Sequence, residues 1–188
     1  MSVRIVALAV ILALSLAGGP AMAAKKKAPT VSEQQAISQA YFKAAELMSN
    51  QQWEGAISGM TGVIDNPKTS KDLLANALAD RGACYTNLYQ TDKAVADLNK
   101  ALEIKPDLQN ALYERARALA MQLKHEAAVA DLTKALVNAQ PTIATAGYYY
   151  NRAVSYMYLS KRAEAKADFA KAVQLNPKLV IPEYYRDL

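Results

Sequence analysis

Apolar and small residues recur along the chain with the 3.6-residue period of amphipathic α-helices, and these helical runs come in pairs. The clearest pair has its apolar or small residues at Leu78, Gly82, Tyr85 and Leu88 in the first run, and at Ala94, Leu98, Ala101 and Leu102 in the second. A short polar turn separates the runs. Pro106 ends the second run because the proline ring cannot continue a helical hydrogen-bond ladder. The pattern predicts an all-α fold built from antiparallel helix pairs.

The helix pair is repeated along the chain. Small residues return at the same register 34 residues later (82 to 116) and again after 37 residues (116 to 153). The three extra residues fall near a Pro/Thr/Gly-rich stretch at 141–147, which predicts a longer loop there. An earlier, looser copy carries three glycines in its second helix, and Thr30 and Glu33 form a capping-box pattern ahead of its first helix. Because such pairs bury their apolar faces against their neighbours, the repetition predicts a stack of hairpins.

The order of residues within each copy resembles the tetratricopeptide repeat. A small residue in the first helix is followed a turn later by Tyr or Leu, and the second helix has Ala, then Leu or Phe, then Ala, with a terminal Pro. The likeness covers about residues 37–178. The tryptophan that is common in the first helix of this family is replaced by Leu78, Leu112 and Tyr149.

The resemblance implies an α-solenoid with three clear repeats, one degenerate N-terminal repeat and a truncated C-terminal capping helix. It also implies a right-handed superhelix whose concave groove is lined by the first helices of the repeats. The predicted segments are a signal peptide at 1–23, a basic leader at 24–30, a repeat domain at 31–179 with repeats at about 37–70, 75–108, 109–142 and 146–179, and the capping helix at 180–188.

The N-terminus has the layout of a secretory signal peptide. Arg4 precedes an apolar run from Ile5 to Ala17, and a small-x-small motif ends at Ala23, after which we expect cleavage. The apolar run is shorter than the roughly 20 residues that span a bilayer. We therefore expect a periplasmic or secreted protein with no membrane span after cleavage; an uncleaved anchor is the alternative.

Charge and cysteine content add little to this prediction. The formal net charge is +5, but Arg4 lies in the signal segment and Lys25, Lys26 and Lys27 lie in the leader, so the body carries about +1 (5 − 1 − 3). We therefore expect no nucleic-acid partner. The single cysteine, Cys84, excludes an internal disulfide and is expected to be a small buried hydrophobe, with a reactive thiol or intermolecular bridge as the alternative.

Each clear repeat also has an Arg in its first helix and an Asp sixteen residues later in its second (81 to 97, 115 to 131, 152 to 168). Antiparallel packing would bring the two side chains together, and a bidentate contact would fix the helix register. We predict three structural, non-catalytic ion pairs: Arg81–Asp97, Arg115–Asp131 and Arg152–Asp168.

The sequence lacks the residue patterns of catalysis. Its single histidine, His125, falls in the turn of the third repeat, where we expect it to be solvated, and no second His or Cys is near enough to share a metal. No nucleophile–base arrangement or phosphate-binding loop is found. The sequence therefore predicts a non-enzymatic protein without a cofactor or metal.

The first-helix face turned away from the second helix is the candidate binding groove. It changes from small and polar in the second repeat to aromatic and Met-rich in the fourth, and Tyr, Met and Arg are enriched in interface cores. The predicted groove residues are Asn110, Tyr113, Arg117, Met121, Tyr150, Val154, Met157 and Tyr158. In the alternative interpretation, the tyrosines only pack against the neighbouring repeat.

These observations predict a protein-interaction scaffold of the bacterial cell envelope that holds an extended or helical segment of another exported or envelope protein. The expected anchors are Tyr113, Tyr150, Met157 and Tyr158. A second hypothesis is a self-associating structural protein, a dimer or an array, whose copies pair through the glycine-bearing first hairpin and the C-terminal stub.

Overall fold

The computed structural model describes residues 30–137 and 139–185, apart from the side chain of Tyr184. The predicted signal peptide, the leader up to residue 29 and the last three residues of the predicted capping helix lie outside these ranges. The described residues contain no β-strand and form α1 (Val31–Ser49), α2 (Trp53–Asp65), α3 (Lys71–Asn87), α4 (Thr91–Ile104), α5 (Gln109–Met121), α6 (His125–Leu136), α7 (Ile143–Tyr158), α8 (Arg162–Leu175) and a 3₁₀ turn (Glu183–Tyr185).

The helices form four antiparallel hairpins stacked side by side. Each helix packs against the next one along the chain, and each odd-numbered helix also touches the next odd-numbered helix. No two even-numbered helices within the described residues touch each other. The odd-numbered helices therefore lie on the inner side of a curved stack, and the predicted all-α solenoid is confirmed.

Local sequence signals explain where the helices begin and end. Thr30 caps α1 as predicted: its hydroxyl accepts from the Glu33 N–H, while the Glu33 carboxylate accepts from the Thr30 N–H at 2.7 Å. The even-numbered helices α2, α4 and α8 each end two residues before a proline: Pro67, Pro106 and Pro177. A residue that precedes proline is disfavoured in the helical conformation, which accounts for these ends.

Every odd-numbered helix ends in the same tight turn. In the third hairpin the Leu123 N–H donates to the Ala120 carbonyl and the Lys124 N–H to the Leu119 carbonyl, both at 2.9 Å, which is a Schellman motif. The motif needs a left-handed residue, and here none of the four is glycine: Gln51 (φ 57°), Tyr89 (φ 58°), Leu123 (φ 61°) and Ser160 (φ 59°).

Small residues let the two helices of a hairpin approach closely. A Cβ placed on Gly82 would lie 2.6 Å from the Leu98 Cγ, so only glycine fits the α3–α4 contact at this distance. Gly59 has the same role in the first hairpin, where a Cβ would lie 2.7 Å from the Ala44 Cβ. Gly62 differs, because a Cβ there would meet no atom of the described residues within 4 Å.

The Arg and Asp side chains meet in each of the last three hairpins. In the second hairpin Arg81 Nε lies 2.7 Å from Asp97 Oδ2, and its Nη2 lies 2.9 Å from Oδ1. The same bidentate geometry joins Arg115 to Asp131 (2.7 and 2.7 Å) and Arg152 to Asp168 (2.7 and 2.9 Å). Each pair fastens the odd helix of a hairpin to its even partner.

A third hydrogen bond of each Arg reaches the preceding hairpin. Nη1 of Arg81 donates to the Thr61 hydroxyl on α2 at 2.9 Å. The corresponding bonds run from Arg115 to the Asn99 side-chain oxygen (2.7 Å) and from Arg152 to the Thr133 hydroxyl (3.1 Å). Each Arg therefore joins three helices, and the repeats are linked by polar contacts as well as by apolar packing.

The C-terminal segment differs from the predicted capping helix. Only one 3₁₀ turn, Glu183–Tyr185, follows α8 in the described part of the chain. The Tyr185 ring packs on Phe169 at 5.4 Å between centroids, and Ile181 joins the same cluster. This segment covers part of the α8 face on which a further odd-numbered helix would lie. None of the described helices combines the length and apolar character needed to cross a bilayer.

Candidate functional site

The inner surfaces of α1, α3, α5 and α7 form the candidate groove. In the second hairpin this surface is closed by helix packing, because Ala79 and Thr86 are buried. The Thr86 hydroxyl donates back to the Gly82 carbonyl at 3.0 Å. Binding residues must therefore be sought where the groove surface remains exposed.

Two half-buried carboxylates, Asp80 on α3 and Glu114 on α5, lie on the odd-numbered helices. The Tyr41 hydroxyl donates to Asp80 at 2.5 Å. Burial raises the pKa of Asp80, and this hydrogen bond partly offsets the rise. Burial also raises the pKa of Glu114, and Arg117, 2.8 Å away, opposes that rise. Asp80 therefore joins α3 to α1, whereas the contact between Glu114 and Arg117 lies within α5.

Tyr113, predicted as an anchor, lies between two repeats. Its ring stacks on Tyr148 at 4.6 Å with 20° between the planes, and its hydroxyl oxygen accepts from the Asn151 side chain at 3.2 Å. Burial raises the pKa of the Tyr113 phenol. Arg117 lies beside the same ring, 5.9 Å from its centroid. These contacts match the alternative in which the tyrosines pack between repeats.

Most of the predicted groove residues on α7 pack inside the last hairpin. Tyr150 sets its edge against Phe169 at 5.5 Å and 66°. Val154 and Met157 are half-buried and contact the buried cluster that contains Phe169. Tyr150 and Met157 therefore stabilise the last hairpin and present little free surface.

Of the remaining predicted groove residues, Asn110, Met121 and Tyr158 are exposed, whereas Arg117 is half-buried. Met121 is 41% exposed and Tyr158 is 62% exposed, and both lie in the last turn of their helices. Arg117 and Val154 each lie one turn earlier on the same face, since residues four apart on a helix are neighbours. We call Arg117, Met121, Val154 and Tyr158 the groove patch. Asn110 is exposed at the opposite end of α5 and lies apart from the patch.

His125 is not the solvated turn residue that the sequence predicts. It is the first residue of α6 and is only 7% exposed, because Tyr158 of the next repeat covers its ring. The two rings stack at 4.2 Å with 6° between their planes. The prediction was wrong because the covering side chain lies 33 residues further along the chain (125 to 158).

The chemistry of catalysis or metal binding has few candidates in this fold. Burial raises the pKa of the Cys84 thiol to about 12, so the thiolate nucleophile is scarce at neutral pH. Within the described ranges, no group of three or more His, Cys, Asp or Glu side chains is arranged to hold a metal ion.

Comparison with known proteins identifies the repeats. Residues 75–108 and 146–179 match two family models, each described as a tetratricopeptide repeat. These segments contain the α3–α4 and α7–α8 hairpins. No match was found among curated proteins.

Solved structures with the same fold include three that cover most of the chain. A MamA fragment from Desulfovibrio magneticus RS-1 is 19% identical, with a TM-score of 0.64 over 76% of this chain and 77% of that one. PilF of Pseudomonas aeruginosa is also 19% identical, with a TM-score of 0.67 over 77% and 63%. YrrB, described as a TPR protein with an unusual peptide-binding site, is 19% identical, with a TM-score of 0.60 over 76% and 70%. The chain is a tetratricopeptide-repeat (TPR) protein.

Membership of this family gives the chain a general role. TPR repeats are scaffolds for protein interaction and are in general non-catalytic, so the TPR protein is an interaction scaffold. At these identities the solved structures establish the fold alone, and the groove patch has to be argued from its own geometry.

Proposed function

We propose that the TPR protein binds a segment of another exported polypeptide at the groove patch. The observation that supports this is the exposure of two large apolar side chains, Met121 and Tyr158, at the C-terminal ends of the odd-numbered helices α5 and α7. They occupy the same position in neighbouring repeats (121 to 158 is one repeat of 37 residues), so they lie at the same end of successive odd-numbered helices. Tyr and Met are enriched in the cores of protein interfaces, as is Arg, and the half-buried Arg117 lies one turn before Met121.

The stacked hairpins favour binding because they hold the patch in place before the partner arrives. Tyr113, Tyr150 and two of the Arg–Asp pairs, Arg115–Asp131 and Arg152–Asp168, fix the helices that carry the patch. The loss of conformational freedom on binding then falls mainly on the partner segment, which is the advantage of a preformed surface.

The test is quantitative affinity purification from an envelope extract. Met121→Ser combined with Tyr158→Ser should reduce recovery of the bound protein roughly tenfold or more, since loss of a buried anchor costs about 2 kcal/mol. The matched control is Tyr89→Ser combined with Val180→Ser, two similarly exposed apolar residues outside the groove. Equal losses in both variants, or none in the groove variant, would contradict the proposal.

We further propose that the protein acts in the cell envelope or outside the cell. The support is the signal-peptide pattern that ends at Ala23. Mass spectrometry of the N-terminus of the protein isolated from its own cells should find Ala24 as the first residue. An intact N-terminal segment in the cytosolic fraction would overturn this location.

Self-association is a second candidate because both ends of the stack expose apolar surface. Phe42 on α1 is largely exposed, and a recess of about 540 Å³ beside α8 is lined by Phe169, Val173 and Ile181. Light scattering with size-exclusion chromatography decides between one chain of at most 20.4 kDa and a multiple of it. A monomer at high concentration would remove this candidate.

A further inference from the structure

A buried histidine lies directly beneath the groove patch. His125 is the only histidine of the chain, and its ring is covered by Tyr158 at 4.2 Å. Both ring nitrogens are buried, and neither has a hydrogen-bond partner among the residues that the structure describes. A ring in this environment is expected to remain neutral, because each N–H of an imidazolium would be buried without an acceptor.

The charged groups around the His125 ring do little to stabilise its protonated form. Glu126, the next residue on α6, is the one carboxylate that acts on it, and Lys124 on the other side directs its ammonium to the Gln122 side chain at 2.9 Å. From α7 the ring faces Tyr158. In residues 30–137 and 139–185, no hydrogen bond or ion pair joins the imidazole to α5 or α7. Burial lowers the pKa of His125, and the Glu126 carboxylate offsets only part of this effect.

The position of His125 on its helix also disfavours protonation of the imidazole. It is the first residue of α6, where the unpaired N–H groups carry the partial positive charge of the helix N-terminus. An imidazolium at this end is repelled. A cation–π contact with Tyr158 would stabilise the imidazolium to a small extent. A buried charge whose N–H groups have no acceptor costs more than this.

The contact between the His125 and Tyr158 rings also connects two repeats. His125 belongs to the third hairpin and Tyr158 to the fourth, so their contact is part of the α6–α7 packing. Tyr158 is at the same time the most exposed member of the groove patch. A change in the charge of the His125 ring is therefore expected to alter the α6–α7 packing between two hairpins and the position of Tyr158 in the groove patch.

We propose that His125 is a proton-sensitive latch on the groove patch: the neutral ring holds Tyr158 flat across the boundary between the third and fourth repeats, and protonation displaces it. The folded protein favours the neutral imidazole. The stacking of the His125 and Tyr158 rings is therefore complete above the usual titration range of histidine and is lost as the pH falls below it. The latch rests on the proposed function only for the binding role of Tyr158. Its own mechanism requires no partner.

The direct test is an NMR titration of the purified, tag-free protein between pH 7.5 and 4.5. A single imidazole resonance is present, and the Tyr158 ring signals are assigned by their loss in Tyr158→Phe. We expect His125 to titrate below the usual pH of 6.5 for histidine, and the Tyr158 signals to shift with the same midpoint. Titration at or above that pH, or Tyr158 signals that do not follow it, would overturn the latch.

A variant separates the effect of protonation from the effect of ring stacking. His125→Phe keeps an aromatic ring beneath Tyr158 and cannot be protonated. Between pH 7.5 and 5.0 the melting temperature of the wild type should fall by about 2–4 °C more than that of the variant, as expected for a linked change of this kind in a chain of this length. Equal falls would contradict the latch. If the variant does not fold, the wild-type titration still decides.

The two proposals fail separately. A normal titration of His125 together with loss of binding in the groove variant removes the latch and leaves the groove. A depressed titration with binding unaffected by Met121→Ser and Tyr158→Ser removes the groove function and leaves a pH-dependent contact between repeats.

Discussion

Two glycines in α2, three residues apart, have different surroundings. Gly62→Ala should stabilise the protein by about 1 kcal/mol, because alanine favours the helix and its Cβ meets open space. Gly59→Ala should destabilise it by about 1–3 kcal/mol, because its Cβ would lie 2.7 Å from the Ala44 Cβ. Urea unfolding of both variants measures the difference. Changes of the same sign would show that the α1–α2 approach is looser than the structure indicates.

Ser155 on α7 is fully buried, and its hydroxyl has no hydrogen-bond partner in the described part of the chain. Ser155→Ala should therefore raise the free energy of unfolding by about 1 kcal/mol, since an unpaired buried hydroxyl costs roughly that amount. Ala118 occupies the same position in α5 (118 to 155 is one repeat of 37 residues) and is also fully buried. Ala118→Ser is the reverse control and should destabilise. A loss of stability in Ser155→Ala would show that the hydroxyl has an acceptor.

At the level of helices, the Arg–Asp pairs make the strongest prediction. Asp131→Ala removes both carboxylate oxygens from Arg115, whose side chain is only 25% exposed. We expect a loss of about 1–3 kcal/mol, more than for an exposed ion pair. Thermal or urea unfolding measures it. Glu103→Ala, an exposed carboxylate on α4, is the control and should change stability by about 0.5 kcal/mol or less. Equal effects would contradict a structural role for the pair.

The sequence indicated only part of the Arg contacts. The distance of sixteen residues recurs in three repeats, and this regularity made the Asp partners recognisable. The partners in the preceding hairpin have no such signal, because they are Thr61, Asn99 and Thr133. Their separations along the sequence from Arg81, Arg115 and Arg152 also vary: 20 residues (61 to 81), 16 residues (99 to 115) and 19 residues (133 to 152). Contacts within a hairpin could be predicted from its spacing, whereas contacts between hairpins depend on how the stack is wound.

The same distinction explains the errors in the candidate site. Tyr113 and Tyr150 lie on the predicted face of their helices, but neighbouring rings, Tyr148 and Phe169, occupy the space in front of them. His125 was placed in solvent because the residue that covers it belongs to the next repeat. Periodicity assigns a side chain to a face of its own helix. Its exposure depends on the neighbour, which the period does not specify.

For the whole molecule, the curvature of the stack determines which surfaces of the similar hairpins remain exposed. The odd-numbered helices touch one another on the inner side, which closes the surface of the second hairpin and leaves the groove patch open at the third and fourth. The outer side carries the even-numbered helices with exposed Lys100 and Lys134. Binding is therefore expected on one side only.

Site-specific photo-crosslinking in the native cells tests this most directly. A photoreactive amino acid placed at position 121 or 158 should crosslink the same polypeptide, because both positions belong to one patch. The same amino acid at the outer positions 100 or 134 should give no such product. Crosslinks of equal yield from both sides, or from the outer side alone, would contradict the proposal that the groove holds the partner.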